Sequence, residues 1–448
     1  MESAASILDG MRAAVPPGRA KLSEADVRAL TRLTERLRAV RPDAHEEYHR
    51  FQSIRERGLN LPHDAVRGWL TGRTVLVTGG TGCIGSMLVE QLAALAPARL
   101  VVVSRGTVQP WRLLPGAEYL QADIRDQRRI AELFTEVRPE IVFHVAAQRE
   151  PGRAEVEVHR TVTTNVFGTR NILDAAAEHG VRHVVCASTG KALRPYSPDI
   201  YAQSKRVAEW LMARAAARGG PLITAARFTH VVDNSIVADR LRRWCKAGVV
   251  RLHSAQIDFY AQSALESAQL LLASGLGPRP GVARMHALRN LDWPVNLLDL
   301  ALGMLTETRS RSPIYIAGYE DGYEPEAFPG LYDPRTAGGL SPLINAFEAA
   351  SVVPGDCAET DAFELHAPGD DGAPLRALAE LEDACGASGD PCVLRGPFEQ
   401  LSLALLHSTL RDVPKPALAR SIQLATARGA APHQAHDRLL DALRHWAG

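Results

Sequence analysis

The sequence predicts an α/β protein built on a doubly wound parallel β-sheet, with a small second lobe and extra helical segments at both ends. Three observations support this fold class. Apolar runs rich in β-branched residues recur from residue 74 onward, amphipathic stretches separate them, and a glycine-rich turn follows the first run directly. Apolar strands that alternate with helices of about 10 to 15 residues indicate a parallel sheet covered on both faces. Crossovers between parallel strands are right-handed almost without exception.

The predicted elements alternate regularly from the first strand to the last. The strands are predicted at 74–80, 98–105, 140–147, 182–189 and 222–231. The helices between them are predicted at 86–95, 126–137, 164–180 and 201–217. Because the strands are apolar throughout, we expect both faces of the sheet to be covered by helices.

The chain as a whole divides into four predicted parts. Residues 1–72 are a helical extension, in which Ser23 is the predicted N-cap of a helix with leucines at helical spacing. Residues 73–250 form the core, and residues 251–340 form the second lobe together with some returning core elements. Residues 341–448 lose the strand pattern and are predicted to be a helical appendix that serves packing or oligomerisation.

The amino-acid composition indicates where the protein is located and which classes of partner it does not bind. The 448 residues carry 51 Lys+Arg and 51 Asp+Glu, so no net charge steers the protein toward nucleic acid or an anionic membrane. The N-terminus lacks a secretory signal pattern, and no apolar run of about 18 residues occurs. The six cysteines show no metal-site spacing, which favours a reducing compartment. We therefore expect a cytoplasmic protein with no nucleic-acid or membrane partner.

The glycine-rich turn is the strongest local signal. It runs from the first strand directly into a helix, and its candidate cofactor-binding residues are Thr78, Gly79, Gly82, Cys83, Ile84 and Gly85. Glycines there permit a tight turn and a close approach of a pyrophosphate to the backbone. The helix N-terminus presents unpaired N–H groups to phosphate oxygens. The turn therefore predicts a dinucleotide site.

The end of the second strand predicts which dinucleotide binds. Folds of this kind place at that point the residue that contacts the adenosine ribose, and this chain has Ser104 and Arg105 there. A guanidinium without a carboxylate favours NADP over NAD, because arginine suits a phosphate group. The alternatives are that Arg105 stacks on the adenine or faces water.

Two short motifs predict the chemistry. Ser188 and Thr189 end a strand, and Tyr201 precedes Lys205 by four residues, which places both on one helix face. An ammonium group at that spacing is expected to lower the pKa of the phenol. The phenol then exchanges a proton with a substrate hydroxyl while a hydride moves to or from nicotinamide.

With these motifs, residues 73 to about 335 resemble the extended short-chain dehydrogenase/reductases, and more narrowly the CapD-type polysaccharide-biosynthesis branch of nucleotide-sugar 4,6-dehydratases and epimerases. The resemblance implies a nucleotide-sugar substrate and a homodimer. It implies that Asp123 and Ile124 flank the adenine and that Ala146 and Ala147 line the cofactor. It also implies that Asn165 supports the active-site hydrogen bonds.

The chain departs from the pattern of this branch at several positions. The usual Asp-Lys pair after Ser-Thr is Gly190-Lys191 here, so the usual acid is missing. Lys191 is a candidate base at sugar carbon 5; alternatively it binds substrate phosphate or only solvent. His230 stands where a substrate-binding Asn is common, and Gln148 and Arg227 are further candidates for substrate contacts.

Two longer segments also depart from the pattern. Residues 254–263 contain no arginine where the branch is more basic, and residues 317–334 are acidic. The resemblance therefore favours 4,6-dehydration, whereas Gly190 argues against it. An epimerase without dehydration and an NADPH-dependent ketosugar or cyclitol reductase remain alternatives. A scaffold that retains cofactor for structure alone is a further one.

One motif is interpreted as non-functional. Residues 45–49 fit the zinc-binding pattern HExxH, with His45 and His49 as its histidines. The surrounding residues are charged nearly throughout, and the sequence suggests no third ligand. It therefore predicts a solvated helix and no metal site.

Overall fold

The computed structural model describes residues 2–107, 113–319, 331, 340–426 and 436–448. These residues form two compact units. The larger unit comprises the described parts of 59–229, 265–290 and 321–448, and the smaller unit comprises those of 1–58, 230–264 and 291–320. The four-part division inferred from the sequence stays a prediction.

The strands follow one another along the chain as β1 Thr74–Thr78, β2 Arg99–Ser104, β3 Ala117–Gln121, β4 Ile141–His144, β5 His183–Thr189, β6 Leu222–Phe228, β7 His230–Val231, β8 Val250–Leu252, β9 Asp258–Phe259, β10 Ala261–Gln262, β11 Ala283–Leu288, β12 Val295–Asn296, β13 Ile314–Ile316, β14 Val353–Pro354 and β15 Thr360–Glu364. The α-helices are α1 Ala4–Ala14, α2 Glu24–Val40, α3 Ala44–Ser53, α4 His63–Leu70, α5 Cys83–Leu95, α6 Gln127–Val137, α7 Pro151–Val156, α8 Val158–Val162, α9 Gly168–Glu178, α10 Ile200–Ala217, α11 Ile236–Ala247, α12 Ala264–Ser274, α13 Leu297–Glu307, α14 Gly372–Ala387, α15 Pro391–Arg411, α16 Lys415–Thr426 and α17 Asp437–Ala447.

A single large sheet organises the larger unit. Within the described residues it has nine strands in the order β14-β15-β11-β6-β5-β4-β1-β2-β3. All neighbours from β3 to β11 pair in parallel, and the strand order reverses between β1 and β4. The predicted doubly wound parallel sheet is therefore confirmed.

The far edge of this sheet was not predicted. β15 pairs antiparallel with β11 and β14 pairs antiparallel with β15, so residues 353–364 extend the sheet. The sequence pattern predicted only helices beyond residue 340. The strand β15 is hard to detect in the sequence because its apolar run is short and flanked by acidic residues. Such a pattern is also typical of a loop. The helices predicted further on are present as α15 and α17.

The smaller unit is built mainly from helices and two-stranded pairs. β7 pairs with β10, β8 with β13, and β9 with β12. One apolar cluster joins α1, α2, α3, α11 and α13, with Phe51 and Tyr315 among its largest buried side chains. Ser23 caps α2 as predicted, because its hydroxyl accepts from the backbone of Asp26 while the Asp26 carboxylate accepts from the backbone of Ser23.

The described parts of the chain contain no helix that is both long and apolar enough to cross a membrane. The acidic segment singled out at 317–334 lies mostly outside the described residues, so its contribution stays a prediction.

Three buried histidines of the sheet make the larger unit sensitive to acid. Burial lowers the pKa of His144 to about 3, of His183 to about 4 and of His286 to about 3. His144 is held between the hydroxyls of Thr78 and Thr169, at 2.9 and 3.0 Å. His286, in β11, has no hydrogen-bond partner on either ring nitrogen among the described residues.

These histidines are neutral in the folded protein but gain protons in the unfolded chain below about pH 6.5. Their stabilising contribution is therefore complete above that pH and is lost as the pH falls toward their folded-state pKa values. Each histidine contributes a slope of up to about 1.4 kcal/mol per pH unit. We expect His286→Leu to flatten the dependence of the unfolding free energy on pH between 4 and 6, measured by urea denaturation. His63→Leu, at an exposed histidine of the same unit, is the control for the loss of one imidazole.

Candidate active site

The candidate site lies where four adjacent strands of the larger unit end. β5, β4, β1 and β2 are neighbours and parallel, so the residues that follow them meet at one edge of the sheet. The strand order reverses at this place, and open α/β sheets bind ligands at such a point. The candidate residues after these strands, together with the start of α10, are therefore brought to one region.

The glycine turn connects β1 to α5. Gly79 has φ +72°, and a Cβ there would lie 2.7 Å from the backbone of Ala146. A Cβ at Gly85 would lie 2.2 Å from the carbonyl oxygen of Gly79. Gly82, the N-cap of α5, is exposed, and a Cβ at that position would meet only the Gly79 oxygen, at 3.4 Å. The chain is thus tight where glycine is required and open at the helix N-terminus, which fits a pyrophosphate group.

The other turn residues support this geometry. Cys83 begins α5 and is buried, and Ile84 beside it is half-buried. Thr78 is fully buried, and its hydroxyl bonds to the ring of His144 in the neighbouring strand. The Thr78 side chain therefore fixes β1 against β4.

A group of arginines surrounds Arg105 at the end of β2. Burial lowers the pKa of Arg105, and the nearby charges of Arg160, Arg125 and Arg153 lower it further, while Asp123 opposes them. Asp123 itself binds the guanidinium of Arg125 at 2.6 Å. Arg160 and Arg153 lie on α8 and α7, and the sequence did not indicate them because they are distant from Arg105 along the chain. The cationic surroundings fit a phosphate monoester.

The remaining cofactor candidates lie beside this region. The Ser104 hydroxyl accepts a hydrogen bond from the backbone of Gly106 at 3.2 Å. Ile124 is buried, and its carbonyl oxygen accepts from the Asn171 side chain at 2.9 Å. Ala146 is half-buried and Ala147 exposed, directly after β4.

Asn165 connects two parts of the site. It lies in a π-helical turn, Thr163–Phe167, of the kind that is frequent at functional sites. Its side chain accepts from the backbone N–H of Gln148 at 2.8 Å and donates to the Gln148 carbonyl at 2.9 Å. It also donates to the hydroxyl of Ser204 on α10 at 2.9 Å. The Asn165 side chain thereby holds the loop after β4 against the helix that carries Tyr201.

Tyr201 and Lys205 lie one turn apart on α10. The Tyr201 phenol is hydrogen-bonded to Thr189, and Lys205 donates to the Ala187 carbonyl at 2.8 Å. Burial raises the pKa of Tyr201 to about 12, although the Thr189 hydrogen bond and the charge of Arg149 oppose it. The spacing in the sequence predicted that Lys205 lowers this pKa, and that prediction is wrong for the structure described. Desolvation outweighs the nearby charges, and the ammonium of Lys205 is directed to a backbone carbonyl.

Ser188 and Arg227 belong to a buried ion-pair network. Ser188 donates to the Glu209 carboxylate at 2.6 Å, and Arg227 binds Glu209 and Glu348, each at 2.7 Å. None of the Arg227 side chain is exposed. From the sequence, Ser188 was a candidate for catalysis and Arg227 for substrate contact. The structure instead engages both in the core, so we revise them to structural residues and keep Thr189 as the hydroxyl that faces Tyr201.

Lys191 has a carboxylate partner that the sequence did not reveal. Its Nζ lies 3.7 Å from Oδ2 of Asp199, whose other oxygen caps α10 by accepting from the Ala202 backbone at 2.8 Å. Although 43% of the Lys191 side chain is exposed, enough protein surrounds the ammonium that burial lowers its pKa, while Asp199 opposes the shift. A Cβ at Gly190 would lie 2.6 Å from Cδ2 of Leu343, so a larger residue at this position requires that side chain to shift. The only sequence signal for Asp199 was its place before the helix.

His230 lies in the smaller unit. Its Nε2 is 2.6 Å from the hydroxyl of Ser235, and its ring packs beside Phe51 and Phe259. Burial lowers the pKa of His230 to about 4. These contacts describe a packed histidine that is neutral at physiological pH, and its contact with a substrate stays a prediction.

Three features together define an extended short-chain dehydrogenase/reductase. They are the parallel sheet whose strand order reverses between β1 and β4, the glycine turn after β1, and the set formed by Thr189, Tyr201 and Lys205. Residues 75–323 match the profile of a family described as "Polysaccharide biosynthesis protein". This match covers more than half of the chain, which therefore belongs to that family, as its resemblance to the CapD-type branch predicted.

Individual relatives and a solved structure agree with this assignment. The probable polysaccharide biosynthesis protein EpsC of Bacillus subtilis is 24% identical over 285 residues, or 61% of this chain and 45% of that protein. The inverting UDP-N-acetylglucosamine 4,6-dehydratase of Campylobacter jejuni is 28% identical over 149 residues, or 32% of this chain and 43% of that protein. The chain thus matches less than half the length of these curated relatives. The structure of Pen from Bacillus thuringiensis, 22% identical, superposes with a TM-score of 0.55 over 67% of this chain and 88% of that one, which shows the shared fold.

Proposed function

We propose that this protein is an NADP-dependent enzyme that acts on a nucleotide sugar through transient oxidation at carbon 4, followed by 4,6-dehydration. One observation favours dehydration: Oδ2 of Asp199 lies 3.7 Å from Nζ of Lys191. A carboxylate and an amine are therefore close together in the site, although glycine stands at position 190 where the family usually has an acidic residue. The curated relative with dehydratase activity supports the same choice. NAD remains the alternative cofactor.

The residues of the chain have separate parts in this proposal. When bound, the oxidised dinucleotide would accept a hydride from carbon 4 and return it at the end of the cycle. Thr189 holds the carbon-4 hydroxyl, and Tyr201 takes its proton. The step requires the ionised form of Tyr201, which the Thr189 hydrogen bond and the positive charge of Arg149 favour. Lys205 donates to the Ala187 carbonyl and so holds α10 against the end of β5.

Lys191 moves the second proton. A ketone at carbon 4 makes the proton at carbon 5 acidic, and the neutral amine of Lys191 removes it. The resulting ammonium gives that proton to the departing carbon-6 hydroxyl, so that one water leaves and a double bond joins carbons 5 and 6. The hydride that the dinucleotide would return to carbon 6 requires one proton at carbon 5, which Lys191 supplies from solvent, and the proton held by Tyr201 returns to solvent. The lowered pKa of Lys191 increases the fraction of neutral amine, and the Asp199 carboxylate stabilises the ammonium that forms.

The alternative function is epimerisation without loss of water, and Gly190 is the observation that favours it. A partly exposed ammonium beside a buried carboxylate is sufficient for proton exchange at carbon 5 without elimination. A further alternative is a reductase of ketosugars or cyclitols that binds and releases NADPH in each turnover. In such an enzyme Arg105 would bind the phosphate group that distinguishes NADPH from NADH. The homodimer and the cytoplasmic location stay predictions.

We expect Lys191→Gln to separate the two proton steps. The variant should still oxidise carbon 4, which is seen as absorbance of reduced nicotinamide, but its deuterium uptake at carbon 5 in heavy water should fall by about 10²-fold or more. Asp199→Asn should weaken uptake in the same direction. Lys246→Gln, at an exposed lysine of α11, is the matched control and should behave like the parent. Normal deuterium uptake by Lys191→Gln would overturn the part given to Lys191.

The cofactor assignment has its own test. Arg105→Gln should raise the Kd of NADP⁺ by about tenfold or more, because a hydrogen bond to a charged group contributes about 1.5–3 kcal/mol. The Kd of NAD⁺ should change little. Titration calorimetry measures both, with Arg128→Gln at an exposed position of α6 as control. Equal effects on both dinucleotides would show that Arg105 does not distinguish them.

A further inference from the structure

Two helices of the smaller unit approach each other closely. A Cβ at Gly303 of α13 would lie 2.5 Å from the carbonyl oxygen of Ala44 and 2.5 Å from Cβ of Tyr48, both on α3. Only glycine permits this approach without a shift of one helix. The same two helices are joined where the Asn296 backbone, at the N-cap of α13, donates to the Glu47 carboxylate. Side chains of α13 that lie one turn beyond Gly303 are therefore held close to side chains of α3.

Three such side chains converge on one point. His45 and His49, one turn apart on α3, have their Nε2 atoms 3.1 Å from each other. Oε2 of Glu307, one turn after Gly303, lies 3.4 Å from Nε2 of His45. The three ligand atoms all lie within 4.8 Å of one another, and the two imidazole planes stand at 80°. Among the described residues, this is the one group of three or more metal-ligating side chains with such spacing.

These distances match the edges of a zinc coordination sphere. Zn–N and Zn–O bonds of about 2.0–2.2 Å in a tetrahedron separate the ligand atoms by about 3.3–3.6 Å. The Nε2–Oε2 separation of 3.4 Å lies within that range, and the Nε2–Nε2 separation of 3.1 Å is slightly shorter. Two imidazole nitrogens and one carboxylate oxygen are a donor set that zinc uses in proteins, with water in the fourth position. His45 and Glu307 keep 42% and 48% of their side chains exposed, so water has access.

We propose that His45, His49 and Glu307 form a binding site for one divalent cation of the zinc class. The cation links α3 to α13 and stabilises the smaller unit. The site is independent of the nucleotide-sugar proposal, because it uses none of its residues. In the sequence the HExxH motif lacks a third ligand, and the fold supplies Glu307 from 262 residues further along the chain. No hydrolytic activity is included in the proposal.

The test uses the full chain, freed of any affinity tag and treated with chelator, and zinc sulfate as the probe. Titration calorimetry should show one zinc ion bound per chain, and the melting temperature should rise with zinc concentration as ligand linkage requires. His49→Gln and Glu307→Gln should each raise the zinc Kd by at least about tenfold. Loss of a residue that merely hydrogen-bonds to a metal ligand already weakens metal binding by about 10–100-fold. Neither substitution is expected to unfold the protein, because both side chains are exposed.

Glu46→Gln is the matched control, because Glu46 is exposed on the same helix and is not among the converging side chains. It should bind zinc like the parent. Cobalt(II) provides a second readout: the visible absorption of the parent complex should be lost in His49→Gln and Glu307→Gln but retained in Glu46→Gln. Absence of zinc binding by the parent would overturn the proposal. Unchanged binding by His49→Gln and Glu307→Gln would also overturn it, since the ion would then lie at other histidines or at the cysteines.

Discussion

Tyr201→Phe is expected to lower kcat by about 10²–10⁴-fold, the range of a lost general acid–base group. The change removes the oxygen that takes the proton from the substrate hydroxyl. Tyr201 is half-buried, burial raises the pKa of its phenol to about 12, and Thr189 is its hydrogen-bond partner. A phenyl ring fits the same space, because the change removes only the oxygen. Binding of dinucleotide should remain within about twofold of the parent, because the ring itself is preserved.

The measurement for Tyr201→Phe is single-turnover oxidation of a nucleotide sugar, followed by the absorbance of reduced nicotinamide. Tyr196→Phe is the matched control: Tyr196 is also buried, but its hydroxyl bonds to Glu399 of α15 at 3.3 Å. Tyr196→Phe should retain activity. If Tyr201→Phe oxidised carbon 4 at the parental rate, Tyr201 would have no part in catalysis. If the parent itself oxidised no nucleotide sugar, the scaffold alternative would be favoured.

Arg227→Met is expected to lower the free energy of unfolding by about 3–5 kcal/mol, the cost of removing one partner from a buried ion pair. Its guanidinium is fully buried between Glu209 and Glu348, and it also donates to the Leu343 carbonyl at 3.0 Å. Methionine would leave the Glu209 carboxylate, which also holds Ser188, without its main cationic partner.

Chemical denaturation of Arg227→Met measures this loss. Arg129→Met, at an exposed ion pair of α6, is the control and should change stability far less. A variant that kept its stability but showed a raised KM would restore Arg227 to the substrate-binding role expected from the sequence.

The sheet and the cofactor turn were predictable because their signals are local. Continuous apolar strands specify a buried parallel sheet, and the order of strand, glycine turn and helix specifies the phosphate site. The four-residue spacing of Tyr201 and Lys205 placed them on one face of α10. Each of these inferences needed only residues close together in the sequence.

The rest depended on contacts between distant segments. Ser188 and Thr189 are adjacent in β5, and the sequence does not distinguish the parts of their hydroxyls. In the fold Ser188 donates to Glu209 and Thr189 is hydrogen-bonded to Tyr201, and both partners lie on α10. Asp199 resembled a simple N-cap in the sequence, and only the fold brings it to Lys191. The strand β15 was missed because its pairing partner β11 lies about 75 residues earlier.

Oxidation of a nucleotide sugar at carbon 4 followed by loss of water is tested by mass spectrometry of UDP-, dTDP-, GDP- and CDP-sugars after incubation with the purified protein and NADP⁺ or NAD⁺ in deuterated water. We expect one substrate to lose one water and to gain one deuterium at carbon 5. Deuterium uptake without water loss would identify an epimerase and contradict dehydration. No mass change with any of the four nucleotide-sugar classes would contradict proton removal at carbon 5 altogether.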